Sequence, residues 1–204
     1  VSSATWGVIV ALLLVGIVVF AVSKDKKRWT ARMLANGALC IALSTVLSFI
    51  TLYKMPQGGS ITLASMLPMF LFAYAYGVGP GMLVGAAYGF VQFLQGGLYF
   101  VHPVELLLDY PLAFAMLGLA GLSSKFSDQW GMIPGIILGT FGRFVCAFLS
   151  GLIFFGMYAP EGQNVVIYSM VYNGLYLVPE AIICIVLAMI PQIRQLAKRL
   201  ALQD

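Results

Sequence analysis

The chain has 204 residues, of which 61% are hydrophobic and 9% are charged, and its formal net charge is +4. An ordinary soluble domain carries roughly 25% charged residues, so the composition excludes a soluble globular fold and indicates an integral membrane protein. The basic residues flank apolar segments and form no aromatic-and-basic stripe, which argues against nucleic-acid binding.

Seven apolar segments approach the roughly 20 residues that a membrane-spanning helix requires. In chain order they are 5–23, 33–53, 61–77, 80–96, 103–122, 132–156 and 165–190. The third and fourth are short and are joined by a tight glycine-rich turn at 77–81. We therefore predict an all-α polytopic membrane protein with two parts. Residues 1–32 form an additional transmembrane helix and a basic cytoplasmic linker, and residues 33–204 form a six-helix membrane domain with a basic C-terminus.

The distribution of basic residues predicts the orientation. One cluster follows the first segment and another follows the last; their members are Lys24, Lys26, Lys27, Arg28, Arg32, Arg194, Lys198 and Arg199. If both clusters are cytoplasmic, as the positive-inside rule requires, the N-terminus lies outside and the C-terminus lies in the cytoplasm. The first segment has no basic region ahead of it, so we expect a retained helix and not a cleaved signal peptide.

No residue pattern points to catalysis. Cys40, Cys146 and Cys184 lie in apolar runs and are expected to be small core residues. The sequence has no metal-ligand spacing, no phosphate-binding loop and no nucleophile with a base at matching depth, so we expect no metal, no cofactor and no enzymatic activity. His102, beside a proline at a loop edge, is expected to be an interfacial residue; an enzyme using it with Glu105 and Asp109 is the minor alternative.

Polar residues at membrane depth predict a binding pocket. Ionisable side chains there cost about 2.5–3.5 kcal/mol each on insertion scales and usually face a partner or a cavity. Glu105 and Asp109 are four residues apart, so they share one face of the fifth helix. The outer halves of the next two helices add four further candidates, namely Gly151, Phe155, Tyr168 and Asn173. We predict that these residues converge in a pocket open to the outside, although an aromatic belt that binds nothing also explains tyrosines at this level.

Two further features allow alternative interpretations. Arg143 and Glu180 have similar predicted depths, so they form either a structural ion pair or part of a ligand or coupling site. Ala38 and Ala42 form a small-xxx-small pattern, which permits close contact either within the bundle or with an external partner helix.

The order of several short motifs resembles a known family. The motifs are the Ala-x-x-x-Ala helix, Gly-Ser-Ile-Thr-Leu-Ala-Ser-Met-Leu-Pro at 59–68, the glycine-rich turn, Leu-Asp-Tyr-Pro-Leu-Ala-Phe with Gly-Leu-Ala-Gly-Leu within 108–122, and Tyr-Ser-Met-Val-Tyr-Asn-Gly at 168–174. Residues 33–200 resemble the thiamine-specific S components of energy-coupling factor (ECF) vitamin transporters, the ThiT/YuaJ group.

The resemblance implies a six-helix subunit that binds a vitamin from outside and does not hydrolyse ATP. Its implied partners are a transmembrane coupling subunit and two cytoplasmic ATPases, which dock at Ala38 and Ala42. The positions that match the family's substrate-binding residues are Asp109, Tyr110, Arg143, Gly151, Tyr168 and Asn173. Glu105 and Phe155 complete the predicted site.

The chain also departs from the family pattern. Aspartate replaces the usual glutamate at 109, and arginine replaces lysine at 143. Family tryptophans correspond to Gly59 and Phe155, and a histidine corresponds to Ala147. The resemblance therefore predicts a binding subunit for thiamine or a thiamine precursor, with the loop at 53–60 as a lid. The alternative, motivated by the acids at membrane depth, is a stand-alone proton-coupled transporter of thiamine or another heterocyclic vitamin.

Overall fold

The computed structural model describes residues 3–24, 29–96, 102–125 and 131–202. Within them the chain forms eight main helices, one short 3₁₀ turn (Gly156–Tyr158) after α6, and one β-hairpin. The order is α1 (Ser3–Lys24), α2 (Ala31–Phe49), β1 (Thr51–Lys54), β2 (Ser60–Thr62), α3 (Leu67–Tyr76), α4 (Val78–Gln95), α5 (103–125, with 3₁₀ geometry over Met116–Lys125), α6 (Met132–Phe154), α7 (Val165–Ala188) and α8 (Pro191–Leu202). Lys26, Lys27 and Arg28 of the predicted basic cluster lie outside the described residues.

The all-helical membrane fold is confirmed. In the described part of the chain, four helices are long and apolar enough to cross a membrane, namely Ala31–Phe49, Pro103–Ser124, Met132–Phe154 and Val165–Ala188. Helices α2 to α7 form the six-helix bundle, and α1 packs against α4 and α6. Ala11 of α1 is buried where this helix meets the bundle, and Val10, Leu14 and Val18 pack against the same cluster.

A β-hairpin lies where the sequence analysis predicted the end of the second helix and the start of the third. Helix α2 stops at Phe49 and not at residue 53, and α3 begins at Leu67 and not at residue 61. The strands between them are antiparallel, with Thr51 opposite Thr62. Gly58, at a φ of 100°, permits the tight turn that joins them. These short strands contain apolar residues, and hydropathy alone does not distinguish a short apolar strand from part of a helix. The segment was therefore predicted as helix.

Helices α4 and α5 approach each other closely because α4 presents glycines to α5. A Cβ atom at Gly85 would lie 2.3 Å from the carbonyl oxygen of Phe114, and one at Gly89 would lie 2.5 Å from that of Tyr110. Small residues at such positions allow the helix backbones to touch, as is common in membrane bundles. The close contact fixes α5, which carries the acidic residues, against the centre of the bundle.

The last predicted segment, 165–190, corresponds to α7, and a separate helix, α8, follows it. Helix α7 ends at Ala188, and α8 begins at Pro191, since proline is favoured in the first turn of a new helix. Ala197 on α8 is buried in the main core cluster, and α8 packs against α3. The basic C-terminal region is therefore an amphipathic helix attached to the bundle, which the sequence analysis did not predict.

Candidate ligand-binding site

One cavity of about 750 Å³ lies between the hairpin, the ends of α2 and α4, the first part of α5, and the facing halves of α6 and α7. Its walls combine aromatic rings with polar and charged side chains, and converging polar groups of this kind orient the ligand in small-molecule sites. All eight residues predicted from the sequence line it, namely Glu105, Asp109, Tyr110, Arg143, Gly151, Phe155, Tyr168 and Asn173. The structure therefore brings these residues together, while their binding role stays a prediction.

Asp109 lies on an irregular turn of α5. Residues Leu108–Leu112 form a π-helical turn that contains Pro111, and single π-turns are frequent at functional sites. Ser150 of α6 donates a hydrogen bond of 2.9 Å to Oδ2 of Asp109. No described residue donates to its other oxygen. Asp109 is thus held from one side and presents a free acceptor to the cavity.

Glu105 caps the start of α5 as well as lining the cavity. The backbone N–H of His102 donates to Oε2 of Glu105 at 3.2 Å, and Val104 N–H donates to Nδ1 of His102 at 3.1 Å. This reciprocal capping box satisfies two backbone donors at the helix start. The His102 ring also stacks on Phe154, with centroids 5.3 Å apart. His102 is therefore engaged in the structure of the helix start, as an interfacial histidine would be.

The ion pair considered for Arg143 and Glu180 does not form. The Arg143 guanidinium lies 4.0 Å from the ring centroid of Phe114, a cation–π contact at the cavity wall. The Glu180 carboxylate instead accepts hydrogen bonds from the backbone N–H and hydroxyl groups of Thr62 and Ser65. Similar depth did not bring the two charges together, because Thr62 at the end of β2 and Ser65 just after it donate to the Glu180 carboxylate.

Glu180 therefore ties the hairpin to α7. The Thr62 hydroxyl donates at 2.6 Å and the Ser65 N–H at 3.1 Å, and Glu180 is only 2% exposed. Charge-assisted hydrogen bonds of this kind are about twice as strong as neutral ones. The hairpin forms the roof of the cavity. These hydrogen bonds anchor it to α7 at its β2 end, just before α3 begins.

Asn173 and Gly151 contribute to the junction between α6 and α7. Nδ2 of Asn173 donates to the carbonyl oxygens of Ala147 at 3.2 Å and Ser169 at 2.9 Å, and Oδ1 accepts from the Tyr176 hydroxyl at 3.0 Å. A Cβ atom at Gly151 would lie 2.3 Å from Oγ of Ser169. The donors of Asn173 are thus used within the protein, and the missing side chain of Gly151 makes room for Ser169.

Aromatic rings form the wall on the α7 side. Tyr168, Tyr172 and Tyr176 repeat every four residues, and successive centroids are 5.9 and 6.1 Å apart. The backbone N–H of Gln57, in the hairpin turn, donates to the Tyr172 hydroxyl at 3.0 Å. Phe155 lies 5.9 Å from Tyr158 on the neighbouring wall. The hairpin, predicted as a lid, therefore contacts this aromatic ladder directly.

Sequence reasoning missed the polar wall formed by α2 and α4. Ser48, Gln92 and Gln95 line the cavity and hydrogen-bond to one another. Two glutamines three residues apart in an apolar helix were the available signal, because that spacing places both on one face. They lie near the end of the segment, where polar residues are ordinary, and were not distinguished from interfacial ones.

The arrangement is chemically suited to binding a ligand. In the ranges that the structure describes, no three His, Cys, Asp or Glu side chains are grouped to hold a metal ion. The carboxylate of Asp109 accepts hydrogen bonds from an amino group, and the tyrosine rings offer faces to a flat or cationic ring. A heterocycle that carries an amino group fits this combination.

The predicted docking residues lie on the outer face of α2. Ala38 and Ala42 are exposed, whereas Met33, Gly37 and Cys40 of the same helix are buried against the bundle. Packing of the alanines within the bundle, one of the two interpretations, is thus excluded for this chain on its own. The face is available to lipid or to a partner helix.

Comparison with known proteins identifies relatives over most of the chain. The model of the family described as thiamine transporter protein (Thia_YuaJ) matches residues 34–200. Thiamine transporter ThiT of Bacillus subtilis is 37% identical over 160 residues, which cover 72% of this chain and 83% of that protein. ThiT of Lacticaseibacillus paracasei is 32% identical over 123 residues, 53% of this chain and 61% of that protein.

A solved structure has the same fold. ThiT from Listeria monocytogenes superposes with a TM-score of 0.73 and 25% identity, covering 83% of this chain and 96% of that chain. The family model begins at residue 34, so α1 lies outside the matched region.

Proposed function

Because the chain belongs to the thiamine transporter protein (Thia_YuaJ) family, we propose that it is the high-affinity substrate-binding subunit of a vitamin uptake transporter. The proposed ligand is thiamine, with a thiamine precursor as the related possibility. The cavity is proposed to open to the outside, with the N-terminus outside and the C-terminus in the cytoplasm. The observation that carries this proposal is the meeting of the Asp109 carboxylate and an aromatic ladder in a single cavity beneath a hairpin.

The free oxygen of Asp109 is proposed to accept a hydrogen bond from the amino group of the pyrimidine ring. Ser150 supports this role because it occupies the other carboxylate oxygen and fixes the side chain. Tyr110, the next residue along α5, also lines the cavity, and its ring is proposed to stack on the heterocycle. An amino heterocycle would then stack on the Tyr110 ring and hydrogen-bond to Asp109 through its amino group.

The positively charged thiazolium ring is proposed to lie against the tyrosines of α7. Cations gain roughly 0.5–2 kcal/mol from contact with an aromatic face, depending on how far they are desolvated. Tyr168 and Tyr172 provide such faces, and Phe155 faces the cavity from α6. These rings are proposed to replace the tryptophans that the family resemblance implies.

Delivery into the cell is proposed to need an ECF energising module, formed by a transmembrane coupling subunit and two cytoplasmic ATPases. The exposed alanine pattern at Ala38 and Ala42 supports this proposal, because small residues let a partner helix approach closely. Neither ATP binding nor hydrolysis is assigned to this chain.

Titration calorimetry on the purified protein tests the ligand. We expect tight binding of thiamine, weaker binding of its separate pyrimidine and thiazole halves, and no binding of riboflavin. Asp109→Asn is expected to lower thiamine affinity at least about 30-fold, because a buried charge-assisted hydrogen bond is lost. Glu161→Gln, at an exposed acid in the loop before α7, is the matched control.

The possible results separate the hypotheses. Tighter binding of the pyrimidine half than of thiamine would assign the site to a precursor. Unchanged affinity in Asp109→Asn would refute the proposed pocket. Thiamine accumulation in vesicles that contain this chain without an energising module would support the stand-alone transporter instead.

A further inference from the structure

Helix α1 packs against the half of α5 that carries the acidic residues of the site. Its partners are α4, α6, the start of α5 at Pro103–Leu107 and the π-helical turn at Leu108–Leu112. None of the described residues of α1 lines the cavity. The family model begins at residue 34, so this helix is not part of the matched region. Any effect of α1 on a ligand must therefore be transmitted through the helices that it contacts.

Apolar side chains join α1 and α5 in one buried cluster. Ala11 of α1 is buried in the same cluster as Leu108 and Leu112 of α5. Leu108 directly precedes Asp109 in the chain, and Leu112 ends the same π-helical turn. The carboxylate that lines the cavity and the leucines that share a cluster with α1 thus belong to a single turn of helix.

This turn lacks one regular backbone hydrogen bond. Pro111 has no N–H group, so the usual helical bond from residue 111 to the carbonyl oxygen of Leu107 cannot form. A turn that is held by fewer backbone hydrogen bonds depends more strongly on the side chains packed around it. The position of Asp109 therefore depends on the cluster that contains Ala11.

The same cluster extends to the residues that fix the start of α5. Phe154 of α6 belongs to it and stacks on the ring of His102. Val104, whose backbone N–H donates to Nδ1 of His102, is also packed against the cluster. Helix α1 thus shares one packed cluster with both the capped start of α5 and the turn that carries Asp109.

We propose that α1 is a positioning element of the ligand site. Through the cluster around Ala11, it holds the π-helical turn of α5 in the place where Asp109 accepts a hydrogen bond from the amino group of the ligand. This inference rests on the proposed function. It adds α1, which the sequence predicted as a separate part of the chain, to the ligand-binding domain.

Binding of two ligands to matched variants tests this role. The ligands are thiamine and an analogue in which hydrogen replaces the amino group of the pyrimidine ring. The parent protein is expected to prefer thiamine about 30-fold, because only thiamine donates a charge-assisted hydrogen bond to Asp109.

Ala11→Phe is expected to reduce this preference to less than about fivefold, mainly by weakening thiamine. A larger side chain at a buried position displaces its neighbours, here the turn that carries Asp109. Leu12→Phe is the matched control, because Leu12 is 65% exposed on the same helix, and it is expected to keep the preference of the parent. Ala11→Val makes a smaller change of the same kind and is measured if the phenylalanine variant does not fold.

A double-mutant cycle separates positioning of Asp109 from general support of the bundle. If α1 acts through Asp109, Ala11→Phe should weaken thiamine by less than about twofold in a protein that already carries Asp109→Asn. An undiminished effect in that background, equal weakening of both ligands, or an unchanged preference in Ala11→Phe would each show that the inference is wrong.

The parent protein distinguishes failure of this inference from failure of the proposed function. Thiamine binding without any preference over the analogue would overturn the role of Asp109 and this inference, while thiamine would remain the ligand. Failure of the parent to bind thiamine at all would overturn the proposed function itself.

Discussion

Gly59 in the hairpin lies directly against the ring of Tyr176 on α7. A Cβ atom at Gly59 would come within 2.7 Å of Cδ1 and 2.8 Å of Cε1 of that ring. Tyr176 is itself held by its hydroxyl, which donates to Asn173 at 3.0 Å. The tyrosine ring therefore occupies the space that a side chain at residue 59 would fill, so only glycine fits there without displacing Tyr176.

Gly59→Ala is expected to lower thiamine affinity about tenfold, because contacts below 3 Å force the hairpin away from α7 and loosen the roof of the site. Titration calorimetry measures the effect. Gly174→Ala is the control, since a Cβ atom there meets nothing within 4 Å and the residue lies within a helix. Parent-like affinity in Gly59→Ala would show that the hairpin does not cover the ligand.

A pair of substitutions, one at each residue, tests the same contact. Gly59→Trp alone is expected to abolish binding, because an indole cannot occupy the same volume as Tyr176. Combined with Tyr176→Ala, it is expected to recover part of the lost affinity, since the larger ring then enters the vacated space. Additive losses in the double variant would mean that the two positions do not compete, a result that double-mutant analysis detects directly.

Glu180→Gln is expected to destabilise the hairpin. Thr62 and Ser65 direct four donors at the carboxylate, and an amide would turn its own N–H groups toward some of them. The expected loss is about 2–4 kcal/mol of unfolding free energy, the range for disrupting a buried charged hydrogen-bond group. Hydrogen exchange should report faster exchange in 51–65, with Glu161→Gln as the exposed control. Unchanged exchange in these residues would contradict the anchoring role.

Ser150→Ala is expected to have a smaller effect on affinity than Asp109→Asn. The serine donates a single 2.9 Å bond to Oδ2, so its loss leaves the carboxylate present but less well fixed. We expect about a three- to tenfold drop in thiamine affinity, equivalent to about 0.6–1.4 kcal/mol. A loss as large as that of Asp109→Asn would indicate that the serine itself contacts the ligand.

The residues of the site were predictable where helical spacing alone determines position. Asp109, Tyr168 and Asn173 lie at matching depths on neighbouring helices, and that spacing was sufficient to place them together. The partner of Glu180 was not predictable, because it depends on two short strands that hydropathy does not distinguish from helix. The π-helical turn at 108–112 likewise leaves no periodic signal in a mostly apolar segment.

Leucine at both Ala38 and Ala42 is expected to separate binding from transport. The two alanines face away from the bundle, so the change adds bulk without disturbing the cavity, and thiamine affinity should stay within about twofold of the parent. Uptake driven by a reconstituted energising module should fall at least about tenfold, because the larger side chains hold the coupling helix away. Ala87→Leu, at an exposed position of α4, is the matched control and is expected to transport normally. Full transport by the leucine variant would place the docking surface on another helix, whereas parallel loss of binding would show that the exposed face of α2 supports the pocket itself.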